Sequence, residues 1–215
     1  MVSSIELIAI IGVGTLLTAL YLQSESFVRP LVSGIALQSL LLACLLGVLA
    51  WQQQSLDLAV LAGLAVIVRV LLIPYLLRRQ IVAFKWKARE MAAAQQTTGH
   101  ALAAVATALI GWEIYSVALE PTFQDPGGAL PFILLLEGFL MLATRTNTLI
   151  QIIGYLEEEN ALVYMGALFA HGFPLFVEAV IFLDVLGVVL VGIVLAIQRD
   201  VVGGAEHAIV EELTG

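Results

Sequence analysis

Charge is what this sequence has least of. Of its 215 residues only 12% are Asp, Glu, Lys or Arg, about half the roughly 25% of an ordinary soluble domain. Apolar residues make up 61%, and the mean hydropathy is +1.03. A globular chain of this size has too little interior to hide so much apolar surface. That argues against a soluble enzyme, a disordered chain and a nucleic-acid binder. It implies an integral membrane protein whose surface is covered mostly by lipid.

Other shortages exclude particular chemistries. There is one cysteine, Cys44, so the chain forms no internal disulfide and cannot alone supply four thiolates to an iron–sulfur cluster. The histidines, His100, His171 and His207, are far apart and show no ligand spacing. There is no Walker loop, dinucleotide fingerprint, zinc signature or local nucleophile–base motif. The N-terminal residues Met-Val-Ser-Ser-Ile-Glu carry no basic region and no clear small-residue cleavage site, so no signal peptide is expected.

What is present is a set of long apolar runs. A bilayer core needs about 20 apolar residues in helical form. Seven stretches qualify, roughly 5–23, 29–51, 56–77, 99–119, 129–144, 147–170 and 174–197, the fifth being short. Backbone polar groups must be satisfied internally in lipid, so these runs are expected to be helices. No alternation of the barrel-strand kind is visible. The expected fold is an all-α polytopic membrane protein in one membrane domain.

The few bases set an orientation. Arg78, Arg79, Lys85, Lys87 and Arg89 cluster between the third and fourth runs, which the positive-inside rule assigns to the cytoplasm. Counting spans outward puts Arg29, Arg145 and Arg199 on the same side, while 52–55, 120–128 and 171–173 contain no Lys or Arg. The N-terminus is then outside and the C-terminal tail, 199–215, cytoplasmic. Within 80–98, Ile81, Val82, Phe84 and Trp86 mix with Lys85, Lys87 and Arg89, as in a helix lying in the membrane interface. Anionic lipid or a cytoplasmic partner would each suit it.

A weak internal repeat relates residues 27–40 to 147–160, with Gly34 on Gly154 and Gln38 on Glu158. It divides the chain into a three-helix unit over 1–79, a connecting helix over 99–119 and a second unit over 129–198. Three crossings plus a fourth leave the two units in parallel orientation. Repeats of this kind occur in membrane transporters.

Ionisable residues inside the spans are the informative ones, because each costs on the order of 2.5–3.5 kcal/mol on insertion scales. They are Arg69 in the third span, Glu113 in the fourth and Glu137 in the fifth. Glu157, Glu158 and Glu159 follow in the sixth, and Glu178 and Asp184 in the seventh. Glu113 and Glu178 lie nearer the outer boundary and the others near mid-span. At about 100° per residue the glutamate run spreads over about 200° of a helix, so that span needs polar neighbours in more than one direction. A loop in place of the sixth span is the alternative, but the flanking apolar sequence is too short for two spans. One carboxylate can pair with Arg69. The rest cannot all be ionised in a low dielectric. Proton relay and structural pairing are both open readings. Gln38 and Asn160 add polar groups at similar depth, and Pro74 is expected to kink the third span just past Arg69.

These residues resemble a known family, component E of hydrogenase-4, a membrane subunit of formate hydrogenlyase-type complexes. The carrying segments are Gln38-Ser-Leu, Arg69-Val-Leu-Leu-Ile-Pro, Gln151-Ile-Ile-Gly-Tyr with Glu159-Asn160, Val177-Glu178 with Asp184, and the ending Leu213-Thr214-Gly215. Their order and spacing cover nearly the whole chain. The stretch from Ile153 to Asn160 is also similar to the Ile-Gly-Leu-Glu…Asn pattern of subunit K of respiratory complex I, a relative along with small subunits of multisubunit antiporters. The family's glutamate position falls on Leu156, with the acids displaced to Glu157–Glu159, and the first repeat carries Gln38 there.

The resemblance implies a noncatalytic subunit in a bacterial or archaeal cell membrane, with intramembrane carboxylates serving proton or sodium transfer. It implies as partners an antiporter-like large subunit, a membrane anchor like that of complex I, and a cytoplasmic redox arm. No cofactor belongs to this chain; nickel–iron and iron–sulfur centres would sit in other chains. A structural spacer between antiporter-like and redox parts, or a stand-alone secondary transporter, are the competing readings.

Overall fold

The computed structural model describes residues 4–83, 94–169 and 187. Among them there is no strand. The elements are α1 (Ser4–Ser24), α2 (Val28–Gln53), α3 (Leu56–Ala65), a π-helical segment (Val66–Leu72) and α4 (Ile73–Ala83). After them come α5 (Ala94–Ile114), a second π segment (Tyr115–Leu119), α6 (Glu120–Phe123), α7 (Ala129–Thr144) and α8 (Thr148–Phe169). Apart from short connections, the described residues are helical.

Among the described residues, four helical rods are long and apolar enough to cross a membrane: Glu6–Ser24, Val28–Gln53, Leu56–Arg79 and Thr98–Phe123. They coincide with the first four expected spans, except that the fourth runs on beyond 119 to Phe123. That extension moves Glu113 away from the end of its rod. Ala129–Thr144 is apolar but has only 16 residues, about 24 Å of helix. The helix α8 is continuous over 22 residues and holds the glutamate run in its interior, so the loop alternative fails. Residues 84–93 of the basic segment, the run 174–197 apart from Gly187, and the tail 199–215 lie outside the described residues.

Short polar caps punctuate the rods. Glu25 Oε1 accepts the backbone N–H groups of Ser26 and Phe27, each at 2.8 Å, between α1 and α2. Gln54 takes a left-handed conformation with φ 51°, and Ser55 then caps α3 by accepting Leu58 N–H at 3.3 Å. Asn147 Oδ1 accepts Leu149 N–H at 2.9 Å as α8 begins.

The third rod departs from an α-helix where Arg69 sits. Ile73 N–H bonds Val68 O, five residues back instead of four. Pro74 has no N–H to give Val70, so the turn before it relaxes into π geometry. In place of the expected kink just past Arg69, the structure has a π segment that surrounds it. Such segments are frequent at functional sites.

The helices α7 and α8 form the most extensive pair. Gly138 and Gly154 allow it. A Cβ on Gly138 would lie 2.8 Å from Glu158 N and 2.9 Å from Gly154 O, both backbone atoms that cannot yield. Small residues at a helix crossing let membrane helices approach closely. Glu137, next to Gly138, is thereby brought against α8.

Among the described residues a small apolar cluster of Ala19, Leu134 and Ala161 accompanies two larger ones. One contains Leu31, Ile35, Ile73, Met141, Ile153 and Leu156. The other contains Leu42, Leu46, Leu61, Ala65, Val163 and Tyr164. The residue numbers leave a gap between them on three elements: 35 to 42 on α2, 65 to 73 on the third rod, and 156 to 163 on α8.

Candidate functional site: a buried polar layer

The gap between the apolar clusters is filled by polar side chains. On α2 they are Gln38 and Ser39, on the third rod Arg69, and on α8 Glu157, Glu159 and Asn160, all buried. Asn160 is the centre. Its Nδ2 donates to Gln38 Oε1 at 3.0 Å and to Ser39 Oγ at 3.1 Å. Its Oδ1 accepts from Arg69 Nη1 at 2.9 Å. Gln38 Nε2 in turn donates to Glu157 Oε1 at 3.2 Å.

Arg69 also faces Glu159, with Nη2 to Oε2 at 3.6 Å. Gly187 backs the same carboxylate, since a Cβ there would sit 3.1 Å from both oxygens. Glu157 Oε2 has no hydrogen-bond partner among the described residues. It lies in electrostatic reach of Glu137 across the α7–α8 contact. Glu137 is fully buried, and its carbonyl accepts Gln23 Nε2 at 2.7 Å.

Glu137, Glu157, Gln38, Asn160, Arg69 and Glu159 thus form a chain of neighbours across four helices. Gln38 and Asn160 each present a donor and an acceptor in one amide, and a carboxyl group can hold or release a proton. The apolar clusters close the layer from both ends.

Not every expected residue joins it. Glu158 is half-buried and points away from Glu157 and Glu159, as 100° per residue demands. Glu113 faces outward on α5. Glu178 and Asp184 lie outside the described residues.

Two participants were not legible in the sequence. Arg145 reads as a base flanking a span, yet it is 2% exposed and its guanidinium donates to Gln23 O. Gln23, at the end of a span, reads as a boundary residue but is fully buried. Neither position carries a local signal; the approach of α1 to the end of α7 decides both.

A cavity of about 500 Å³ opens at the end of the bundle opposite Arg78 and Arg145, lined by Leu49, Gln53, Asp125, Leu130 and Tyr164. Tyr164 is four residues beyond Asn160 and seven beyond Glu157, so all three share one face of α8. Among the described residues no group of three His, Cys, Asp or Glu could hold a metal ion.

No protein-family profile matches the chain, and no solved structure matches it. Over 189 residues it is 29% identical to the uncharacterized protein Rv0085 of Mycobacterium tuberculosis (strain ATCC 25618 / H37Rv), a match covering 80% of this chain and 86% of that one. What these findings support is an all-helical chain with several helices apolar enough to lie in a membrane.

Proposed function

We propose that the chain is a noncatalytic membrane-arm subunit of an ion-translocating respiratory complex of the hydrogenase-4 or complex I-like kind. Its buried carboxylates transfer protons, or sodium ions, within the membrane. The observation that carries this reading is the continuous polar layer from Glu137 through Glu157, Gln38, Asn160 and Arg69 to Glu159. Ionisable groups at such depth are costly and mark ion pathways. In this reading seven spans cross a cell membrane in two parallel three-helix units, with the N-terminus outside and the tail inside. The driving redox centres, nickel–iron and iron–sulfur, belong to partner chains. An antiporter-like large subunit and a complex I-like membrane anchor flank this one.

The test is proton uptake by inverted membrane vesicles in which the intact complex is driven by its redox substrate. Glu157→Gln and Glu159→Gln should each suppress coupled uptake while the complex stays assembled on native gels. Uptake at the full rate in both variants would sink the relay.

A structural-spacer reading has its own supporting observation: Arg69 and Asn160 are engaged so fully inside the bundle that the layer also serves as a clamp. Under it the same variants lose assembly and uptake together.

A further inference from the structure

Among the described residues, one exposed acid lies well inside a rod and not near its ends. Glu113 is exposed on α5, and Val105, Leu109 and Val117, at intervals of four residues around it, are 49%, 68% and 68% exposed. Residues four apart share a helix face, so the carboxyl group sits in the middle of an apolar stripe. The rod Thr98–Phe123 is also the least covered of the four, with 17% of its apolar window buried.

Depth makes this unusual. Glu113 is ten residues from Phe123 and fifteen from Thr98, about 15 and about 22 Å along the rod. With a hydrocarbon core about 30 Å thick centred on the rod, the carboxyl group lies a few ångströms from the midplane. Trp112 beside it is 53% exposed at nearly the same depth. Tryptophan facing lipid is usual at the headgroup belts, not at the centre. A carboxyl group and an indole N–H both need a polar partner there, and lipid tails have none to give.

No described residue supplies one to Glu113. A second copy of this chain is no better placed: among the described residues, its exposed bases are Arg29, Arg78 and Arg79 near rod ends, His100 is half-buried two residues from the start of its rod, and Arg69 and Arg145 are buried inside. We infer that the Val105–Leu109–Glu113–Val117 face of α5 docks a membrane-spanning helix of a different polypeptide, one that carries Lys, Arg or His at the depth of Glu113. Trp112, beside this face, is of a residue type enriched at interface hot spots. This rests on the chain spanning the bilayer and not on the proton relay.

The test uses the native membrane with a photo-reactive benzoylphenylalanine in place of Leu109. The expected product is a crosslink to another chain, identified by mass spectrometry, whose crosslinked helix holds a base within one turn of the attachment point. Glu113→Leu should lower the yield about tenfold, equivalent to 1.4 kcal/mol, with Glu113→Gln losing less. Glu113→Lys paired with an acid at the partner's base should restore it. Glu113→Leu lies on the outer surface, so the thermal stability of the purified subunit should be unchanged. Crosslinks to lipid alone, a crosslinked pair of this chain, or a yield insensitive to Glu113→Leu would each overturn the inference. Redox-driven proton uptake in the same vesicles reports on the relay separately.

Discussion

Arg69 Nη2 lies 3.6 Å from Glu159 Oε2, and both side chains are only 2% exposed. The pair holds the third rod against α8 at the level where the two apolar clusters part. Its strength depends on both members. Removing one leaves a buried charge, at a cost of about 3–5 kcal/mol, while replacing both by apolar residues of like volume is often neutral. Arg69→Met alone should therefore reduce thermal stability in detergent sharply, and Arg69→Met with Glu159→Met should recover most of it. Equal losses in the single and double variants would mean that the attraction is not what stabilises this contact.

Asn160 couples three partners, so its contribution should be non-additive. The single variants Gln38→Ala and Asn160→Ala each remove the bond of 3.0 Å between them. A double-mutant cycle on unfolding in mixed micelles should give a coupling of about 0.6 kcal/mol and below about 1.7 kcal/mol, the range measured for hydrogen bonds between membrane helices. A coupling of zero would show that the amides act independently.

Gly138→Ala tests the close crossing of α7 and α8. The added Cβ would meet backbone at 2.8 Å, so the helices must part. Gly47 and Gly63 have nothing within 4 Å of a built Cβ. At those positions alanine should be neutral or stabilising by about 0.5–1 kcal/mol, the usual cost of glycine inside a helix. The check is to compare the three melting curves: a loss confined to Gly138→Ala is expected.

Cys44 tests the membrane assignment. It is exposed on α2, nine residues from Gln53, about 14 Å along the helix, and so faces hydrocarbon in the membrane. Alkylation proceeds through the thiolate, which lipid disfavours. A charged maleimide should leave Cys44 unlabelled in intact membranes and label it fully after unfolding in sodium dodecyl sulfate. Rapid labelling in native membranes would place that face in water.

Much of this molecule is legible along the chain. Apolar runs of about 20 residues locate the rods, because a segment that cannot reach water must satisfy its backbone within itself. Arg69 next to Pro74, and three glutamates inside one apolar run, mark the third rod and α8 as polar on some face. What the run cannot say is which face. Glu157 and Glu159 turn into the bundle and Glu158 only half so, since successive residues differ by about 100° and the neighbours of α8 decide which directions are filled. Gln38 reads as an ordinary packing group until Asn160 and Glu157 are seen against it.

Composition and periodicity, then, determined by themselves a helical chain with several rods apolar enough to lie in a membrane and acids set inside apolar runs, because the cost of burying charge and backbone is a property of each residue in lipid. The tertiary structure alone decided that Gln38, Arg69, Asn160, Glu157 and Glu159 form one layer, that Arg145 and Gln23 are interior, and that Glu113 is left outward. Those outcomes depend on how closely glycines let the rods approach and on where a π segment turns a side chain. Both are relations between segments far apart in the chain, which no local pattern encodes.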